Sequence, residues 1–277
     1  MSAHSSPPWF EARALERPDD ARIAYHRTPG AADKTGLVWL GGFRSDMEGS
    51  KALALHEWAR AADRPFVRFD YFGHGASTGR FEDGSIGRWA DDALAVLDAL
   101  TDGPQILVGS SMGGWIALLA ALARPERVAG LVLIAPAPDF TERLMWASFP
   151  DDVRATILEH GVYHLPSDAG EEPTPITRLL IEDGRAHLLY DRPSIAVRAP
   201  VRILQGAEDR DVPWRHALGL VLRLESPDVE FLRIDGGDHR LSTEADVARM
   251  IRVVERLAAQ LEGGSRSAAS TAASPSA

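Results

Sequence analysis

The sequence predicts an α/β protein in which a mostly parallel central sheet is flanked by helices and a small helical lid is inserted between strands. Three observations carry this. Short β-branched runs alternate with amphipathic segments along most of the chain, the pattern of a sheet covered by helices. One helical segment, Met112 to Ala123, is apolar nearly all round, as suits a helix pressed against a central sheet. A single long stretch, 136–199, breaks the alternation.

Taken in order, strands are expected at Ala21 to Thr28, Leu37 to Gly41, Phe66 to Asp70, Gln105 to Val108, Val128 to Ile134, Val201 to Gln205 and Val229 to Ile234. Ile86, Trp89, Ala93, Leu97 and Leu100 form one helical stripe, leaving Asp91, Asp92 and Asp98 for solvent. The last helix is expected from Thr243 to about Leu261, with Val247, Met250, Val254, Leu257 and Leu261 facing inward and Ser242 as its cap. Within 136–199, helical stretches around Phe140 to Phe149 and Asp152 to His160 precede the Pro- and acid-rich PSDAGEEPTP, and helix resumes from Ile176. The apolar residues there (Leu144, Met145, Trp146, Phe149, Val162, Tyr163) are too few for an independent core but enough to roof one. The expected organisation is a lead-in over 1–20, a core from 21–135 and 200–262, the lid over 136–199, and a Ser/Ala-rich tail over 263–277 that has little to bury and is expected to be disordered.

Composition narrows the function. The 277 residues allow one large core or two modest ones. With 30 Lys and Arg against 40 Asp and Glu, the formal charge of −10 lacks the basic footprint of phosphate binding, which sets nucleic acid aside. Cysteine is absent, excluding disulfide scaffolds, thiolate metal sites and cysteine nucleophiles. The first twenty residues have neither a basic n-region nor an apolar h-region, and no run reaches the roughly eighteen apolar residues of a membrane span. The expectation is a cytoplasmic protein without a membrane span.

The run QILVGSSMGGW places strand-like residues directly before Gly109-Ser110-Ser111-Met112-Gly113 and a helix directly after, the context of a G-x-S-x-G nucleophile elbow. Glycines flank the serine because side chains there would collide in a strained turn. At Gly and Ser frequencies of about 7% each, the pattern arises by chance roughly 0.1 times in such a chain. Ser111 is the expected nucleophile. A phosphate-binding loop is disfavoured, since neither G-K-[ST] nor G-x-G-x-x-G follows the first strand.

A serine hydroxyl needs a base and a group to orient that base. In this arrangement they follow in the order acid, then histidine, on loops after later strands. The strand VRILQ runs into GAEDRDVP from Gly206, and VEFLRI runs into Asp235-Gly236-Gly237-Asp238-His239. Asp209 is the expected acid, held in a turn closed by Pro213, and His239 the expected base. Glu208 and Asp211 read as solvent-facing or as partners of Arg210 and Arg215, and Asp238 as shaping its own loop. Among the other histidines, His56 reads as surface or half-buried, and His160, His164 and His187 belong to the lid. His74 is the rival base that could line the pocket, but it precedes Ser111. The oxyanion that forms on acyl transfer requires N–H donors. These are expected from Met112, next to the nucleophile, and from Phe43 in the loop Gly41-Gly42-Phe43-Arg44-Ser45-Asp46. No metal is expected, because no pair of histidines has ligand spacing.

With Gly41-Gly42, the Ser111 elbow, GAEDRDVP and GGDH in this order, residues 20–262 resemble the α/β-hydrolase superfamily. FRSDMEGSKA at 43–52, VRFDYFGHGAS at 67–77, GPQILVGSSMGGW at 103–115, DVPW at 211–214 and Asp238-His239-Arg240 look like the branch of mitochondrial palmitoyl-protein thioesterases that also cleave acyl-glucuronides, as a bacterial-type counterpart. The resemblance implies Ser111, Asp209 and His239 as the triad, Phe43 and Met112 as oxyanion donors, ester or thioester substrates, and no cofactor. Two departures stand out: Gly-Gly-Phe replaces the His-Gly of many relatives before the oxyanion loop, and no organelle-targeting segment is evident.

The expected function is a serine hydrolase acting on a small-molecule ester or an acyl thioester through an acyl-serine. A serine peptidase, a C–C bond hydrolase, an acyltransferase or a noncatalytic ligand receptor on the same fold are the alternatives. Trp146, Phe149 and Tyr163 are candidates for an apolar acyl pocket. Arg44 and Arg240 are candidates for meeting an anionic leaving group such as a glucuronate.

Overall fold

The computed structural model describes residues 12–166 and 172–272. Most of the expected lead-in (1–11), the centre of the acid-rich stretch (167–171) and the last five residues lie outside the described residues. In chain order the elements of the core begin with β1 (Arg13–Glu16), β2 (Arg22–Thr28), β3 (Gly36–Leu40), α1 (Ser50–Ala61) and β4 (Phe66–Phe69). They continue through α2 (Ile86–Leu100), β5 (Gln105–Ser110), α3 (Met112–Ala123) and β6 (Val128–Ile134). The insert then contributes α4 (Asp151–His160), β7 (Val162–Leu165), β8 (Thr174–Thr177) and α5 (Arg178–Ala186), and the core resumes with β9 (Val201–Gly206), α6 (Trp214–Val221), β10 (Val229–Ile234) and α7 (Glu244–Ala272).

Eight strands form one sheet in the order β1-β2-β4-β3-β5-β6-β9-β10. From β4 to β10 every neighbouring pair is parallel, and β2 runs antiparallel to both β1 and β4. Strand alternation sorts side chains to two faces. Leu37 and Trp39 of β3 join Leu55 of α1 and Val254 of α7 on one face. Val38 and Leu40 join Trp89 of α2 and Trp115 of α3 on the other. Because helices cover both faces, the central strands read as continuous apolar runs.

Differences from the sequence reading have local causes. β1 reads as RALE, a short edge strand with no apolar alternation, and takes its register from Leu15 opposite Ile23 of β2. Asp92 is fully buried rather than solvent-facing: it accepts the Phe72 N–H at 2.9 Å and lies within 3.6 Å of Arg17 and 3.5 Å of Arg88. His56 is likewise buried, with Nδ1 accepting from Arg68 Nε at 3.0 Å. The cap of α7 is Thr243, whose Oγ1 accepts the Asp246 N–H at 3.2 Å, whereas the Ser242 hydroxyl turns back to the Arg240 carbonyl. The α7 backbone continues to Ala272, well past Leu261 into the stretch expected to be disordered.

Between β6 and β9 the insert is only partly helical. A π-helical turn (Thr141–Met145) leads through a short 3₁₀ turn into α4, and the hairpin β7–β8 takes the place of coil and early helix, so that Ile176 is a strand residue paired with Tyr163. The segment buries a small core of its own from Phe149, Ile157, Ile176 and Ile181.

Candidate active site

The three loops expected to converge leave the same edge of the parallel sheet. β5 ends at Ser110, β9 at Gly206 and β10 at Ile234, so the residues that follow emerge where open α/β sheets place their ligands.

Ser111 sits in the left-handed region at φ 53° and ψ −116°, a strained conformation for a non-glycine residue. Its N–H is held by the Ile134 carbonyl at 2.8 Å. The flanking glycines are required by close approach: a Cβ on Gly113 would lie 2.1 Å from the Leu40 carbonyl oxygen, and one on Gly109 2.4 Å from that of Gly113.

His239 Nδ1 lies 2.8 Å from Asp209 Oδ2, and its Nε2 3.0 Å from Ser111 Oγ. A carboxylate only accepts, so Nδ1 carries the proton and Nε2 is free to receive the serine hydroxyl. The Asp209 side chain is fully buried and that of His239 is partly exposed towards the cleft. Asp209 Oδ1 accepts the N–H groups of Asp211 (3.0 Å) and Val212 (2.8 Å), and Oδ2 accepts Gln205 Nε2 (2.9 Å) in addition to His239. Asp238 shapes its loop by accepting the Leu241 N–H at 2.9 Å. Asp209, Asp211 and His239 could bring three ligand atoms within 4.8 Å of one another, but the Asp209 oxygens and His239 Nδ1 are already engaged as described.

The loop after β3 lies against the nucleophile, a Cβ on Gly42 falling 3.6 Å from Ser111 Cβ. Among the described residues, no acceptor engages the Phe43 N–H. Met112 is fully buried and opens α3, where the first N–H has no partner within the helix. The Phe43 ring packs edge-on against Phe81, Trp89 and Phe140.

His74 does not line the cleft. It is buried beneath the loop, with Nδ1 donating to the Phe72 carbonyl at 3.1 Å and Nε2 accepting the Arg44 N–H at 3.2 Å. Burial drives its imidazole down to about 4, keeping it a neutral acceptor. Asp70 holds the far end of the same loop, accepting the N–H of Met47 (2.7 Å) and of Ala76 (2.8 Å), and burial raises its carboxyl to about 6.

A cleft of about 450 Å³ opens over Ser111 and His239 and is also lined by Phe43, Arg44, Lys51, Thr174, Asp211 and Arg240. Arg44 Nη1 donates to Thr174 Oγ1 at 2.6 Å, tying the loop after β3 to β8 of the insert. Lys51 Nζ donates to the Arg240 carbonyl and to Ser242 Oγ. Trp146, Phe149 and Tyr163 are not in the cleft wall. They belong to the small core of the insert, where Phe149 is buried and Trp146 lies against the guanidinium groups of Arg154 and Arg185. The same cluster packs against Phe43, which lines the cleft. Asp211 is exposed, as expected, and also borders the cleft.

Residues 39–180 match the family model described as alpha/beta hydrolase fold. The palmitoyl-protein thioesterase ABHD10, mitochondrial, of Rattus norvegicus is 38% identical over 244 residues, covering 88% of this chain and 81% of that protein. The chain belongs to the α/β-hydrolase fold family. The human protein of the same name is 36% identical over 88% of this hydrolase. Among solved structures, a protein from Agrobacterium vitis S4 superposes with a TM-score of 0.85 at 44% identity, covering 90% of this chain and 98% of that one. Mouse alpha/beta hydrolase domain-containing protein 10 superposes at 0.83 with 36% identity, over 91% and 99% of the two chains. With its relatives, this hydrolase is a serine-dependent enzyme.

The comparison overturns the expected cytoplasmic placement. The rat and human relatives are named as mitochondrial proteins, so this folded body is one that mitochondrial enzymes share, and the composition of the first twenty residues does not report a compartment. Among the described residues, no helix is long and apolar enough to cross a membrane.

Proposed function

We propose that Ser111, Asp209 and His239 are the catalytic triad of an ester and thioester hydrolase that works through an acyl-serine. The observation that carries this is the unbroken hydrogen-bond chain from Ser111 Oγ through the imidazole of His239 to Asp209, at 3.0 and 2.8 Å. His239 Nε2 takes the hydroxyl proton as Ser111 Oγ adds to the acyl carbonyl carbon. Asp209 holds the imidazole in the tautomer this requires and stabilises the imidazolium that forms. The N–H groups of Phe43 and Met112 receive the developing oxyanion without reorganising. Collapse expels the alcohol or thiol with the proton from His239. Water, activated by the same imidazole, then hydrolyses the acyl-serine.

Acyl thioesters are the favoured substrate class, because the relatives matched over most of the chain are named thioesterases. Arg44, Lys51 and Arg240 border the cleft and would favour a leaving group that carries negative charge. Residues 136–199 act as the lid that roofs the acyl group.

The test is a screen of purified enzyme on p-nitrophenyl esters and acyl thioesters of short and long chain, with Ser111→Ala beside the wild type. A burst of acyl-enzyme and fluorophosphonate labelling are expected in the wild type, and both should be lost in the variant. Turnover that survives Ser111→Ala would reject the triad.

A further inference from the structure

Gln205 is the penultimate residue of β9 and is fully buried. Its amide nitrogen donates to Asp209 Oδ2 at 2.9 Å and to the Val212 carbonyl at 3.0 Å, with a longer approach of 3.4 Å to the Gly206 carbonyl. Its amide oxygen is buried with no hydrogen-bond partner among the described residues. A flipped amide would set oxygen against two acceptors, a carboxylate and a carbonyl, so the orientation is forced. An unpaired buried acceptor is destabilising, and an apolar side chain at this position would avoid it. The molecule nevertheless keeps an amide with its donor end aimed at the carboxylate that orients His239.

We propose that Gln205 is a positioning residue for acyl transfer. It fixes the plane of the Asp209 carboxylate, so that one lobe of Oδ2 is occupied by the amide and the other is presented to His239 Nδ1. Backbone donors from Asp211 and Val212 hold only Oδ1. Without the amide, the carboxylate can pivot about Oδ1, and the imidazole tilts away from Ser111 with it. The bond from the same amide to Val212 also clamps the acid loop to the strand it leaves. This inference rests on the triad proposed above.

Two variants separate donation from packing. Gln205→Met keeps the unbranched length while removing the donors and the orphan oxygen together. It is expected to melt near the wild type and to lower kcat by about ten-fold or more with KM within about two-fold. Gln205→Glu keeps the amide's shape, but its carboxyl can donate only while protonated. The ratio of its kcat to that of the wild type is expected to fall by about ten-fold or more between pH 5.5 and 8.5 as the introduced group ionises beside Asp209. A folded Gln205→Met with wild-type kcat, or a Gln205→Glu ratio that does not change with pH, would overturn the proposal. If either fails to fold, Gln205→Asn, an amide too short to reach Asp209, takes its place with the outcome expected of Gln205→Met. Inactive Ser111→Ala together with unaffected Gln205 variants would sink this inference alone, whereas active Ser111→Ala would sink the triad reading beneath it.

Discussion

The sheet rim and the insert that meets it at Thr174 are built on different physical terms. At the rim, backbone and buried polar groups hold each loop at more than one point. Ser111 is pinned by the Ile134 carbonyl and by two glycines that leave no room for a side chain. Asp209 accepts from Gln205, Asp211, Val212 and His239. The loop after β3 is held at one end by His74 and at the other by Asp70. The insert packs a small cluster of its own from Phe149, Ile157, Ile176 and Ile181, lends residues such as Phe140, Leu180 and Leu189 to the main core, and carries surface ion pairs such as Arg178–Glu182 and Arg185–Glu142. Such pairs are worth little each. Reacting atoms need fixed distances, and the rim supplies them through contacts that cannot shift singly. The insert, proposed above as the lid over the acyl group, needs only to cover it, and local stability there can be low.

The largest expected effect is on the rim's chemistry. Asp209→Asn keeps the shape but allows the amide nitrogen to face His239, favouring the wrong tautomer; kcat should fall by about 10⁴-fold. The melting temperature should fall as well, because the amide NH₂ faces either Gln205 Nε2 or the N–H groups of Asp211 and Val212. Steady-state kinetics with a melting curve checks it, and a loss below ten-fold would mean that the acid is not needed to orient the base.

Next comes Gly113→Ala, whose new Cβ would strike the Leu40 and Gly41 carbonyl oxygens at 2.1 and 2.5 Å. Both belong to backbone that cannot yield cheaply, so a loss of about 3 kcal/mol is expected from urea unfolding, accompanied by loss of fluorophosphonate labelling. A variant as stable as the wild type would show the rim to be softer than described.

Acidification probes how the oxyanion loop is held. His74 is lowered by burial to about 4 from an ordinary value of 6.5, so the unfolded chain binds its proton first. This contribution to stability is complete above about 6.5 and is lost progressively down to about 4. Asp70 and Asp92 act in the opposite sense: burial raises both to about 6 from 3.8, so the native chain binds their protons first and gains stability as the pH falls through that window. His74→Gln removes only the first effect. From pH 7 to 4.5 it should lose up to about 3 kcal/mol less stability than the wild type, read from urea midpoints at the two pH values. Parallel losses would mean that His74 is not held neutral.

The smallest effect is expected in the insert. Arg178→Ala breaks an exposed pair with Glu182 one helical turn away and should cost less than about 0.5 kcal/mol. A larger loss by the same unfolding assay would bring the insert closer to the rim in rigidity and weaken the contrast.

The legible parts of the molecule were those written in local pattern. Ser111 stands out because a strand, two glycines and a helix surround it within eleven residues, and Asp209 and His239 because each follows a strand in the required order. The α2 stripe is equally plain, with Ile86, Trp89, Ala93, Leu97 and Leu100 all buried. The misses were polar residues buried by distant partners. Asp92 and His56 lie on helix faces that look solvent-directed, yet Phe72 and Arg68 come from elsewhere in the chain to meet them. Gln205 carries only a weak signal, a polar residue where a buried strand ends. Of the aromatic residues singled out in the insert, Phe149 is buried and Trp146 and Tyr163 are half-buried, and local pattern does not tell which cavity or core they fill.

The chain's own order of residues was enough to determine the alternation of strands and helices, the strained serine turn, and the sequence of acid and base on later loops, because these depend on neighbours a few positions apart. Only the folded arrangement decided that His74 lies beneath the oxyanion loop, that Gln205 faces Asp209, and that Arg44 joins that loop to Thr174. Those contacts span from four to 130 residues. They depend on side-chain direction and on desolvation, and neither exists until the sheet has brought its loops to one edge.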